Sequence, residues 1–125
     1  MVLGIGVDIV PIERIVVLWN RHRTRLCESI FTSRELAAGG LPDPAAGSPV
    51  KPELTLPQAR FLAERFAGKE AAIKVLGLGH ATPFELNDIE VNGSARLEVR
   101  LKGPLIVMAA RRGIDRMTGS CSSTK

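Results

Sequence analysis

Tyrosine is absent from the 125 residues, aromatic side chains make up only 4%, and cysteine occurs twice, at Cys27 and Cys121. With no CxxC pair and no His/Cys cluster, the spacing argues against both a disulfide scaffold and a structural zinc site. The missing tyrosines count against a nucleic-acid partner held by stacked aromatic rings. Apolar runs such as Ile15 to Trp19 are far too short to span a bilayer, so no membrane partner is expected. The segment before Asp8 has neither a long apolar stretch nor an Arg/Ser-rich leader. That favours the cytoplasm, with the mitochondrial matrix as the alternative. Neither sign of charge dominates: Lys plus Arg is 17 against 13 for Asp plus Glu, a formal charge of +4. The small positive balance suits an acidic partner or an anionic substrate. At 45% hydrophobic and 24% charged, residues 1–125 read as one domain with a buried core.

MVLGIGVDIV at the start reads as a buried strand. Pro11 then suits the first turn of a helix with Glu13 near its positive end. Ile12, Ile15, Val16, Trp19 and Leu26 fall on one side of that helix. Arg14, Arg21 and Arg25 fall within about a 40° arc on the other. Thr32 and Glu35 have capping-box spacing and predict a short helix. Residues 37–53 are rich in Gly, Pro, Ala and Ser without periodicity and read as a mobile surface insertion. Thr55 and Gln58 open a long helix running to Val75, closed by Gly77 and Gly79. Asp88 to Val91 and Arg96 to Leu101 alternate with period 2 around Asn92-Gly93, which predicts a hairpin whose turn the Gly-Ser-Ala continuation lengthens. Pro104 to Arg112 predicts a further short helix ended by Gly113. The last residues, TGSCSSTK, carry little fold information.

Two features carry chemistry. Asp8 is a carboxylate inside an apolar strand and needs a partner, a proton or a metal, unless it simply caps the helix that begins at Pro11. GIGVD lacks the third glycine of a dinucleotide fingerprint. In the long helix, Leu62, Phe66 and Ile73 define a core-facing arc; Lys69 points into its middle, Glu70 lies at its edge and Lys74 just beyond. Arg60, Glu64, Gly68 and Ala71 take the opposite face. Glu70 and Lys74 can be an ordinary i,i+4 pair with Lys69 snorkelling. Alternatively, Asp8 and Glu70 supply hard oxygen ligands to one Mg²⁺, with Arg65, Lys69 and Lys74 providing positive charge for a phosphate or pyrophosphate. Neither His22 nor His80 has a convincing catalytic partner.

At these residues the chain resembles a known family. GIGVDIVPIERI, FTSREL, RFLAERFAGKEAAIKVLG and F-x-x-x-DIEV stand in the order found in holo-acyl-carrier-protein synthases, the short single-repeat class of 4′-phosphopantetheinyl transferases. The resemblance runs from about Val2 to Arg116. It implies an α+β fold, with an antiparallel sheet and a long helix packed across it. It also implies transfer of the phosphopantetheine arm from coenzyme A to a serine of an apo acyl carrier protein, releasing adenosine 3′,5′-bisphosphate, in fatty-acid or polyketide synthesis. By the same resemblance, Asp8 and Glu70 bind Mg²⁺, Glu70 is the candidate base, and Lys74 assists the departing phosphate. Arg65, Lys69 and Lys74 lie near the coenzyme A phosphates. Arg14, Arg21 and Arg25 become the docking face for the acidic carrier, although three arginines on one helix are more often a solvated face. A homotrimer with the coenzyme A site between neighbouring subunits is also implied.

The chain departs from the family pattern at its end. Ser120 and Ser122 match expected serines, but Thr118 and Ser123 stand where histidines are expected, and the final apolar strand is missing. Residues 117–125 therefore read as an atypical, shortened tail. A catalytically impaired coenzyme A- or carrier-binding module is the alternative reading.

Overall fold

The computed structural model describes residues 10–41, 53–78, 83–94 and 96–120. The expected first strand and most of the Gly/Pro-rich insertion lie outside the described residues.

Helix α1 spans Ile12–Arg25, with Pro11 as its extended N-cap residue and Glu13 in its first turn. Ile15 and Trp19 are fully enclosed, while Ile12 and Val16 are half-buried, so the expected apolar side faces inward. His22 leaves helical geometry at φ −137° and ψ 35°, and a π-helical turn, Leu26–Ile30, follows. The break falls between Arg21 and Arg25, so the single arc drawn on an ideal wheel does not carry through it. Beyond it, Leu26, Cys27 and Phe31 turn inward.

Helix α2, Ser33–Ala38, is opened by the expected capping box: Glu35 donates its backbone N–H to Thr32 Oγ1 at 3.1 Å, and Thr32 donates its own to Glu35 Oε1 at 2.9 Å. Helix α3, Leu56–Leu76, opens the same way at Thr55 and Gln58 and stops at Gly77, whose left-handed φ of 63° suits a residue without Cβ.

Strands β1 (Ile89–Gly93), β2 (Arg96–Leu101) and β3 (Met117–Ser120) form one antiparallel sheet in that order. A 3₁₀ turn, Leu86–Asp88, feeds β1. The hairpin forms, but the ladder runs through the expected turn residues, pairing Asn92 with Glu98 and Gly93 with Leu97. The reversal therefore lies beyond Gly93. Gly93 has φ 100°, and a Cβ there would sit 2.1 Å from the Arg96 carbonyl oxygen. Helix α4, Pro104–Arg111, connects β2 to β3.

Met117 to Ser120 pair with Val99 to Arg96 as an edge strand. Strand pairing rests on backbone groups, and here only Met117 adds apolar packing, against the second core cluster.

Two apolar clusters flank α3. One gathers Ile15, Trp19, Leu26, Phe31, Leu36, Leu62 and Phe66; the other gathers Ala72, Ile89 and Leu105. Gly68 was expected on the outer face of α3. It instead meets β1 so closely that a Cβ would lie 3.2 Å from Val91 Cγ2. The helix is packed on two sides, which a wheel with one apolar arc does not anticipate. Among the described residues, no helix is long and apolar enough to cross a membrane.

Candidate active site

Helix α3 positions most of the residues with chemical potential. Its buried residues Leu62, Phe66 and Lys69 follow helical spacing, so the side chain of Lys69 enters the core as the sequence predicts. The ammonium is completely enclosed. It sits 2.8 Å from Glu35 Oε1, donates to the Leu86 carbonyl at 3.1 Å, and donates also to the Ile89 carbonyl. Burial holds the Lys69 pKa below its ordinary value, opposed by the adjacent Glu35 carboxylate.

Glu35 is the residue that sequence reading missed. Its capping role was legible, but its second oxygen, Oε2, accepts from the Val91 backbone N–H at 2.8 Å, 56 positions away. The signal was Lys69 itself: an ammonium aimed into an apolar arc requires a buried acid partner.

Glu70, next along α3, is half-buried at the margin of the core face, and Lys74, one turn later, is exposed. Carboxylate oxygen is the donor type that Mg²⁺ takes, so Glu70 fits such an ion by its chemistry. Asp8, its expected companion, lies outside the described residues. Arg65 is buried, with its guanidinium 4.2 Å from the Phe61 ring centroid and a hydrogen bond to the Gly93 carbonyl. On α1, Arg14, Arg21 and Arg25 are all exposed, and the guanidinium of Arg14 reaches over Phe66 of α3 at 5.5 Å.

A second charged group surrounds Glu90, buried on β1. It accepts from Lys102 at 2.8 Å and from Asn92 at 3.1 Å, with Arg34 at 3.6 Å. Burial pushes the Glu90 carboxyl up, but hydrogen bonds from Lys102, Asn92 and Thr32 outweigh it and leave the pKa below the usual carboxylate value. A surface pocket of about 350 Å³ opens here, lined by Thr32, Ser33, Arg34, Glu90, Arg100 and Lys102. None of the α3 candidates lines it. Glu90 instead joins β1 to α2 and to Lys102, the residue that follows β2.

The structure thus brings Lys69 and Glu70 to the α3 face between two cores and keeps the arginines on the exposed side of the adjoining α1. Comparison with known proteins gives this arrangement a family. The model of the 4′-phosphopantetheinyl transferase superfamily matches residues 4–114. The chain is 37% identical to a holo-[acyl-carrier-protein] synthase of Geobacillus kaustophilus, over 92% of this chain and 83% of that protein. A synthase of Clostridium kluyveri is 36% identical over 90% of this chain and 75% of its own length. The match spans only 61% to 64% of the length of several other synthases. Among solved structures, the synthase of Neisseria meningitidis superposes with a TM-score of 0.65 at 33% identity, covering 93% of this chain and 84% of that one. The acyl carrier protein synthase of Plasmodium yoelii with ADP bound gives 0.68 at 25% identity, covering 93% and 80%. The α+β fold and the motifs along α1, α2 and α3 therefore have one source: the chain belongs to the 4′-phosphopantetheinyl transferase superfamily.

Proposed function

We propose that this chain transfers the 4′-phosphopantetheine arm of coenzyme A to a serine hydroxyl of an apo acyl carrier protein. The observation that carries the reading is the family match across the whole of α3, together with Glu70 at the margin of its buried face and Lys74 exposed one turn away. The serine oxygen bonds to the phosphorus on the pantetheine side of the pyrophosphate. The bond from that phosphorus to the bridging oxygen breaks, and adenosine 3′,5′-bisphosphate leaves. Such transfers depend mainly on positioning and on charge placed around the phosphoryl oxygens.

Glu70 is the base: its carboxylate accepts the serine proton as the oxygen attacks. Lys74 offers an ammonium to the departing phosphate, and Arg65, buried against Phe61, adds positive charge toward the coenzyme A phosphates from within the fold rather than by surface contact. Mg²⁺, with Asp8 and Glu70 as its protein ligands, neutralises charge on the pyrophosphate when bound. Arg14, Arg21 and Arg25 form the landing face for an acidic carrier, a role their exposure supports. A homotrimer and a cytoplasmic location complete the proposal.

The test is the intact mass of an acidic apo acyl carrier protein after incubation with this chain, coenzyme A and Mg²⁺, with an EDTA control. A gain of one phosphopantetheine arm, lost with EDTA and with Glu70→Ala, is the expected result. No gain from a folded chain that still binds the carrier overturns the transferase reading.

A further inference from the structure

We propose that Glu35 and Lys69 are a positioning pair that fixes Glu70 at the active face, and that Lys69 binds no substrate phosphate. The positioning half of this inference rests on the transferase reading above; the denial of phosphate binding does not. An ammonium has three N–H donors. Those of Lys69 are matched by three acceptors, Glu35 Oε1 and the Leu86 and Ile89 carbonyls, and the side chain is wholly enclosed. No donor and no surface remain for a phosphate oxygen.

Glu35 is just as fully engaged. Oε1 takes the Thr32 N–H and the Lys69 ammonium, and Oε2 takes the Val91 N–H. One carboxylate therefore joins α2, α3 and β1 at the residue that precedes Glu70. The Leu86 and Ile89 carbonyls add the turn that feeds β1.

The consequence for Glu70 is rotational. Consecutive helical residues are about 100° apart, so pinning Lys69 inward sets the direction of Glu70. At a side-chain radius of about 5–6 Å, turning α3 by about 10° moves a carboxylate by about 1 Å. A misplacement of that size costs on the order of 100-fold in rate.

The experiment compares wild type, Lys69→Met, Glu35→Gln and the double variant. It measures kcat and KM for transfer to an apo acyl carrier protein, Kd for coenzyme A by calorimetry, and the folded fraction by circular dichroism. Glu35→Gln removes the charge while its single amide oxygen can still accept from one of the two backbone N–H groups, of Thr32 or of Val91. The expected result is a kcat about 100-fold lower in Lys69→Met, partial recovery of about tenfold in the double variant, and Kd for coenzyme A within about threefold of wild type throughout. A Kd weakened tenfold or more in the double variant makes Lys69 a phosphate ligand and overturns the proposal. A lowered Tm with kcat per folded molecule unchanged also overturns it, because the pair is then only structural. If Lys69→Met does not fold, the double variant decides alone, by a lowered kcat with Kd retained. If wild type transfers nothing, the transferase reading fails and the positioning role with it, whereas a retained Kd still excludes Lys69 as a phosphate ligand.

Discussion

Glu35 and Glu90 are two glutamates of equal burial, 1% and 2% exposed, yet their removal has very different consequences. Glu35→Ala leaves the enclosed Lys69 ammonium without its directly bonded counter-charge, with the Glu90 carboxylate acting only at longer range. Breaking a buried pair from one side costs about 3–5 kcal/mol. The N–H groups of Thr32 and Val91 also lose their acceptor, at about 1–3 kcal/mol for each that stays dry. Against a typical stability of about 5–15 kcal/mol, this variant sits near the edge of folding. Glu90→Ala frees Lys102 and Arg34, whose side chains are already 46% and 65% exposed and turn to solvent. Its cost is about 1–2 kcal/mol, from hydrogen bonds to a charged group discounted for screening. Urea unfolding of both variants, followed by circular dichroism, measures the difference as a midpoint shift at unchanged slope. Equal destabilisation, or a larger loss for Glu90→Ala, refutes the argument that cost follows the partner left behind.

Three further outcomes follow from the same structure. The folded-state pKa of Glu90 lies below its ordinary value of 4.5, so its contribution is fully present above that pH and is lost as pH falls through the folded value. Stability measured from pH 7 downward should show this acid loss in wild type and a shallower one in Glu90→Gln; parallel curves would contradict it. Gly77→Ala forces a Cβ into φ 63° and should destabilise by about 1 kcal/mol, read as a lowered Tm. Reversing Arg14, Arg21 and Arg25 to Glu should raise KM for the carrier by tenfold or more at low salt and leave KM for coenzyme A unchanged, with the gap closing as salt is added. An equal change in both constants would remove α1 as the docking face.

The parts of the fold legible in sequence are those specified by local chemistry. Thr32 with Glu35 and Thr55 with Gln58 announced two helix starts, Gly77 announced a stop, and alternation located β1 and β2. Arg14, Arg21 and Arg25 stand exposed as their wheel positions predict, although the break at His22 lies between them. What escaped depends on distant neighbours. Met-Thr-Gly-Ser at 117–120 has no alternating apolar pattern, and its strand exists because β2 offers a free backbone edge. Asn92-Gly93 carries the commonest hairpin signal, yet the ladder passes through it. The inward direction of Lys69 was legible, but its pairing with Glu35 was not, because a helix cap and a helix lysine 34 positions apart share no local signature. Asp8, the other half of the expected metal pair, lies outside the described residues.

The glutamate that caps α2 also bears on the order in which the chain assembles. A helix of six residues does not persist alone in water, since nucleation costs more than so few backbone hydrogen bonds return. The carboxylate that caps α2 is itself fully paired only when α3 delivers an ammonium and β1 a backbone N–H from 56 positions downstream. α2 is thus a late product of long-range closure, not a seed for it. Its amides should exchange with solvent at the rate set by global opening, in step with those of β1, despite belonging to the shortest α-helix among the described residues.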